Sequence, residues 1–211
     1  GFWMKTEDIN YHIGLPEKYR DSAVDLYDEA FGQKFSVAVP SKEKRILLLK
    51  KCFILDYVIG AIYKDKLIGL AGFQTPEGSL TSGITYSELL SQLGFIKGNW
   101  AAVIFSLYER KAAFEELIMD GIAVHSDARG EGVGSHLLKE VAKYAKEHKF
   151  DRVRLDVIDI NTKAKILYER MGFKSVKTES FPYLKWLLGF SGSTTMELSV
   201  QSQPNKQVIK D

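Results

Sequence analysis

The stretch HSDARGEGVGSHLL, residues 125–138, constrains this chain more than any other. An apolar, strand-like run from Leu117 to Val124 leads into it, and a helical pattern follows, with Val133, Leu137, Leu138, Val141, Ala142 and Ala145 on one face. Gly130, Gly132 and Gly134 alternate with Glu131 and Val133 at the junction. Glycines between a strand and a helix let the backbone come close to a ligand. The N–H groups of the first helical turn have no intrahelical partners, and the helix dipole favours an anion beside them. Residues 129–135 therefore read as a phosphate cradle; the plainer alternative is a tight turn that needs positive φ. The G-x-G-x-x-G spacing of dinucleotide-binding folds fails, because Ser135 takes the third glycine position and the turn lies late in the chain. The P-loop fails too, since no Gly-Lys-Ser/Thr closes the run. What remains is R-x-x-G-x-G: Arg129, Gly132 and Gly134.

The rest of the chain supplies a frame. Residues 7–14 alternate as a first strand. Pro16-Glu17 opens a helix with Ala23, Leu26, Tyr27, Ala30 and Phe31 at helical spacing, and a second helix covers Lys42 to Asp56. YVIGAIY and LIGLAGFQ flank Lys64-Asp65-Lys66 and predict a hairpin. Residues 75–113 carry two amphipathic helices, one on Tyr86, Leu89, Leu90 and Leu93, the other on Trp100, Val103, Ile104 and Leu107 with Asn99 as its cap. After the glycine turn and its helix, RVRLDV alternates as a strand, and Thr162 to Met171 form a short helix between Asn161 and Gly172. KSVKT and TTMELSV close as two strands around an aromatic excursion, 179–193, with a polar tail over 201–211. The order predicts one α/β domain over 1–200, a mixed β-sheet flanked by helices, with a helical insertion between the third and fourth strands.

Two motifs carry a resemblance. DGIAVHSDARGEGVGSHLL resembles the acetyl-CoA-binding motif of the GNAT superfamily of N-acetyltransferases. NTKAKILYERMGF resembles that family's N-x-x-A-x-x-x-Y-x-x-x-G-F helix through Asn161, Ala164, Tyr168, Gly172 and Phe173. The motifs stand in the family's order, one helix and one strand apart, and the element order extends the match to most of the chain. The resemblance implies a GNAT-type fold and an acetyl-CoA-dependent N-acetyltransferase. It implies that the backbone of Ile122, Ala123 and Val124 pairs with the pantetheine arm. The amides of Arg129, Gly130, Glu131, Gly132, Val133, Gly134 and Ser135 would hold the pyrophosphate. Asn161 would bond the cofactor near its pantetheine end, and Tyr168 would protonate the departing thiolate.

The chemistry explains those demands. An amine with a reference pKa of about 10 is mostly ammonium near neutral pH, and only its neutral form attacks a thioester. A base, direct or through water, must take the proton, and the oxyanion needs a donor. Glu116 and Asp120 share one strand face, four residues apart, and both are candidates for the base. A β-bulge would reverse the parity between them and Ile122. The acceptor is read as a primary amine on a small molecule, with a protein N-terminus or lysine as the variant. A CoA-binding sensor or interaction module without turnover is the reading from another class. Tyr86, Phe95, Trp100, Phe181, Tyr183 and Trp186 are candidate walls of the acceptor site, and the insertion is an alternative homodimer contact.

Composition excludes other classes. With 29 basic and 27 acidic residues the net charge of +2 is too balanced to argue for nucleic acid. Cys52 stands alone, so no internal disulfide or thiolate metal cluster forms, and a reducing cytoplasm fits. His12, His125, His136 and His148 show no close ligand spacing, and no metal is expected. No apolar stretch approaches the length of about 20 residues that spans a bilayer, and no secretory n-region and h-region open the chain.

Overall fold

The computed structural model describes residues 4–201. The chain enters on a 3-10 turn, Thr6–Asp8, so the strand expected over 7–14 shortens to β1 (Asn10–Ile13). A second 3-10 turn after Pro16 leads into α1 (Arg20–Phe35). The next helix, α2 (Lys42–Cys52), starts where the Ser41 side chain accepts the Lys44 N–H, 3.3 Å away. It stops short of the expected Asp56 because Phe53 turns into the core and the Ile54 N–H donates to Leu80 instead.

The hairpin forms as the sequence predicts. Lys64 and Asp65 both take positive φ, 47° and 63°, between β2 (Val58–Tyr63) and β3 (Lys66–Thr75). A two-residue strand, β4 (Gly78–Ser79), folds back on β3. In the insertion, Thr85 caps α3 (Tyr86–Leu93) through the Glu88 N–H. The following helix, α4 (Phe95–Tyr108), begins earlier than expected. Gly94 at φ +84° makes the break, and Asn99 lies inside the helix, donating to the Phe95 carbonyl and accepting from the Tyr86 hydroxyl.

Then come β5 (Glu116–Val124), α5 (Val133–Glu147), β6 (Arg152–Ile158) and α6 (Thr162–Arg170). The chain closes with β7 (Lys174–Ser180), a one-turn helix α7 (Lys185–Leu188) inside the excursion, and β8 (Gly192–Ser199). The strands make one sheet in the order β1-β2-β3-β5-β6-β8-β7, with β4 on β3; only β5 and β6 run parallel. Of the expected tail, Gln201 is anchored, donating to the Lys146 and Phe150 carbonyls. Residues 202–211 lie outside the described residues.

Burial explains the layers. The helix after the glycine turn buries Val133, Leu137, Leu138, Val141 and Ala145 against Leu117, Met119, Val153 and Leu155 of the sheet. Each large side chain removed from water there contributes about 1.5–3 kcal/mol. On the other face Ala23, Val24, Leu26 and Tyr27 of α1 pack on Val58, Leu70 and Ala123. A third cluster joins α2 to the insertion through Leu48, Leu89, Ala101 and Ile104.

One buried ion pair locks α1 to α2. Arg45 reaches both oxygens of Asp28, at 2.6 and 3.1 Å, and donates to the Val39 carbonyl at 3.0 Å. The two side chains are only 9% and 5% exposed, so water cannot replace either partner. Asp28→Asn leaves a buried guanidinium unpaired and should cost about 3–5 kcal/mol, measured by denaturant unfolding.

Candidate active site

The site begins with an irregularity in β5. Gly72 pairs with Gly121 and Phe73 with Met119, which leaves Asp120 as an extra residue. Gly121 adopts φ +148°, and a Cβ there would stand 2.8 Å from the Phe31 ring, so glycine alone fits. The bulge reverses the side-chain parity. Leu117 and Met119, then Ile122 and Val124, face the α5 side, while Asp120, Gly121 and Ala123 face α1. Beyond Ile118, β5 and β6 no longer pair. The β5 backbone from Asp120 to Val124 therefore has no strand neighbour on that side among the described residues.

A groove of about 450 Å³ occupies the gap. Ile122, Ala123 and Val124 form one wall, α6 another, and Leu26, Glu29 and Ala30 of α1 a third. Arg129, Gly134 and Tyr168, each singled out from sequence, also line it. Gly130 and Gly132 take φ +82° and +76° with nothing within 4 Å of a Cβ, so the turn needs their conformation rather than space. Gly134 is different. Its φ is ordinary, and a Cβ there would project over Ile122 and Val124, 3.8 and 3.9 Å from their methyl carbons, and fill the groove. No side chain caps α5, and no acidic residue stands in its first turn. Its amide end is thus free for an anion.

The remaining predicted residues divide. Val133 puts its side chain into the core and offers only backbone. Glu131 and Ser135 are half-buried beside the turn. Asn161 caps α6, its Oδ1 accepting the Ala164 N–H at 3.3 Å, which leaves its amide N–H groups free. Tyr168 is 7% exposed, and burial pushes its hydroxyl up to about 12. Lys163 also lines the groove. Sequence reading passed over it, although it stands two residues beyond Asn161.

A second cavity, about 440 Å³, lies on the other side of α1. Asp120 opens into it, with Tyr27, Phe31, Lys34 and Phe35 from α1, Ile84 before α3, Phe105 and Tyr108 from α4, and Arg110 beyond. Arg110 is held by Asp156 at 2.7 Å and reaches Asp120 only at 3.5 Å. The second oxygen of Asp120 is buried without a hydrogen-bond partner. Burial pushes this carboxyl above the usual carboxylate range, against the pull of Arg110 and Lys34. Lys34 is the converse. Burial, with Arg110 nearby, lowers its ammonium to about 8, and Tyr108 lies under it with the ring centre 4.6 Å away.

Glu116 occupies a different setting. Its oxygens accept from Arg152 at 3.2 Å, Arg154 at 3.4 Å and the Ala113 N–H at 3.0 Å. It lines neither cavity and joins the paired ends of β5 and β6. From it a line of alternating charge runs through Arg154, Asp156 and Arg110 to Asp120. Asp156 anchors the middle. Burial disfavours its charge, but the Thr195 hydroxyl and the two arginines outweigh that and hold its carboxyl below the ordinary value.

Of the aromatic walls proposed from sequence, Tyr86 alone lines the second cavity. Phe95, Tyr183 and Trp186 are exposed, and Phe181 packs against Phe190. Trp100 donates its indole N–H to the Val37 carbonyl and borders a separate apolar hollow beside Pro40. The true aromatic walls come from α1 and from the inner face of α4, which sequence periodicity could not orient.

The match with known proteins now has a structural footing. Residues 20–173 fit the model of the acetyltransferase (GNAT) family. The chain belongs to the GNAT family. It is 36% identical over 72 residues to a protein named probable N-acetyltransferase camello from Xenopus tropicalis, covering 34% of this chain and 33% of that one. It is 35% identical over 60 residues to a thialysine N-epsilon-acetyltransferase from Sus scrofa, covering 28% of this chain and 35% of that one. The chain thus spans about a third of the length of these curated relatives. Among solved structures, an N-acetyltransferase from Staphylococcus aureus Mu50 superposes with a TM-score of 0.62 at 14% identity, over 90% of this chain and all of that one. The ribosomal-protein-S18-alanine N-acetyltransferase from Escherichia coli gives 0.57 at 16% identity, over 94% and 97%. These structures share the fold: an open eight-stranded mixed sheet flanked by helices. No helix among the described residues is long and apolar enough to cross a membrane, and none of their His, Cys, Asp and Glu side chains group to hold a metal ion.

Proposed function

We propose that this chain transfers an acetyl group from acetyl-CoA to the primary amine of a small molecule. The single observation that carries this reading is Asp120, a carboxylate on the β5 bulge that lines the second cavity and keeps one buried oxygen without a hydrogen-bond partner among the described residues. The groove fits acetyl-CoA, which would supply the thioester. The unpartnered β5 edge at Ile122 to Val124 would pair with the pantetheine amides, the uncapped end of α5 would bind the pyrophosphate, and Gly134 leaves the room for it. Asn161, through its free amide N–H groups, is suited to a pantetheine carbonyl.

The acceptor amine would stand in the second cavity within reach of Asp120. A carboxylate whose proton affinity is raised by burial is a better base than a surface aspartate. Asp120 takes the ammonium proton, directly or through water, and the neutral amine attacks. Backbone N–H groups of β5 on its open edge are placed to stabilise the charge that develops on the carbonyl oxygen. Tyr168 faces the groove from α6. Its hydroxyl, near 12, lies well above a thiol at about 8.5. It therefore acts by donating a hydrogen bond to the departing sulfur rather than by giving up its proton fully. Glu116, with both oxygens engaged, serves the frame, and the base role falls to Asp120.

Thiol release from acetyl-CoA with a panel of primary amines tests the reading; a protein that binds CoA and turns over none of them would overturn it. Gly134→Glu should fold normally, since the new Cβ meets only ordinary contacts, but lose CoA affinity at least tenfold by calorimetry. Tyr168→Phe should lower kcat by roughly 10–100-fold with CoA affinity nearly intact. Asp120→Asn should lower kcat/KM by about 10²–10⁴-fold and remove the acid limb of its pH profile. The same change should spare stability. A folded-state carboxyl raised above its unfolded value supports folding at low pH and loses that support as pH rises through the folded value. At pH 7 the asparagine variant should keep or exceed the parent Tm.

A further inference from the structure

The second cavity holds two open valences of opposite sign. Lys34 forms no ion pair with any carboxylate among the described residues, and its ammonium contacts the Tyr108 ring. Asp120 keeps one buried oxygen without a partner. Arg110 lines the same cavity, but Asp156 already holds it at 2.7 Å, so it adds little net charge there. A ligand that satisfies both ends needs a cation for Asp120 and a single negative charge for Lys34. The same walls carry Phe31, Phe35 and Phe105, which suit an apolar or aromatic group, beside polar Ser82, Ser106 and Glu109. One lysine with a neutralised arginine suits a monoanion better than a phosphate dianion. The volume of about 440 Å³ is that of a small-molecule site.

We infer that the acceptor is a free α-amino acid with an apolar or aromatic side chain, its carboxylate on Lys34 and its amine on Asp120. This rests on the acetyl-transfer reading and narrows it. A protein N-terminus has no carboxylate to offer Lys34, and a simple amine leaves that ammonium unmatched. Lys34 is thus a specificity residue, and the rest of the transfer machinery does not involve it.

The test is a matched series in the thiol-release assay: L-phenylalanine, L-phenylalaninamide and phenethylamine. The three share the ring and the amine and differ in the anionic group. L-Phenylalanine should give a kcat/KM at least tenfold above both others. Lys34→Gln should collapse that ratio towards one by raising the KM for phenylalanine while its kcat changes little, and Lys34→Arg should restore part of it. Lys34 is half-buried at the cavity wall, so a parent protein that shows the ratio gives an answer even if the variant folds poorly. Equal or faster turnover of phenethylamine by the parent, or a ratio unmoved by Lys34→Gln, overturns the amino-acid acceptor and leaves acetyl transfer standing. CoA binding without amine-dependent thiol release, for every amine of the series and of a wider panel, overturns both.

Discussion

The bulge at Asp120 and Gly121 is the constraint on which the site depends. A regular strand would have placed Leu117, Met119, Gly121 and Ala123 on one face, and Asp120 with Ile122 on the other. One extra residue instead turns Ile122 and Val124 to the α5 side and keeps Asp120 on the α1 side. The same strand therefore presents a backbone edge to one cavity and a carboxylate to the other. Gly121 makes this geometry possible, because Phe31 fills the place where any larger residue would put its Cβ. The parting of β5 from β6 after Ile118 then leaves that edge open. Bulge and parting sit within three residues of each other, which is why the groove and the second cavity approach each other there.

The line of charge from Glu116 to Asp120 shows what holds the bulge in register. Buried ions are costly unless each is matched, and removing a partner from such a set is worse than never burying it. Glu116, with Arg152 and Arg154, ties the last paired residues of β5 and β6. Asp156, satisfied by Thr195, Arg154 and Arg110, carries the line along β6 to the cavity. Among the described residues the line is complete except at two buried atoms, the Arg154 Nε and one oxygen of Asp120. A fold selected for stability alone would have filled or removed the second. An unmatched carboxylate in a cavity wall is what the proposed base role of Asp120 requires.

How much of this was legible in the sequence follows from what is local. The glycine turn, Asn161, Tyr168 and the hairpin at Lys64-Asp65 each depend on a few neighbouring residues, and each sits where spacing put it. The face shared by Glu116 and Asp120 was legible too, and so was the consequence of a bulge. What the strand could not say was which carboxylate would be consumed by arginines, because Arg152 and Arg154 come from β6. The start of α4 was misplaced for a local reason: Asn99 looks like a cap, but Gly94 breaks the chain first. The aromatic walls failed for a tertiary one. α4 is apolar nearly all round, so its period does not reveal which side faces Phe35 and which leaves Trp100 and Val103 outward.

The two cavities differ in how they are encoded, and this bears on how such a chain acquires an acceptor. The groove proposed for the donor relies chiefly on backbone, the strand edge, helix amides and glycines of the β5–α5 segment, with α6 and α1 as its further walls. Side chains on that segment are free to serve the core, as Val133 does. The cavity proposed for the acceptor is built from side chains drawn from α1, from the insertion and from the strand after it, with Lys34 and Arg110 far apart in sequence. Substituting those side chains would change the charge and shape of the cavity without touching the amides at the start of α5. Asp120 is the one side chain at the junction, since its backbone belongs to β5 and its carboxylate to the acceptor cavity. On the proposed reading, a change of acceptor can therefore proceed through Lys34 and the other cavity side chains, whereas a change at Asp120 would act on the transfer itself.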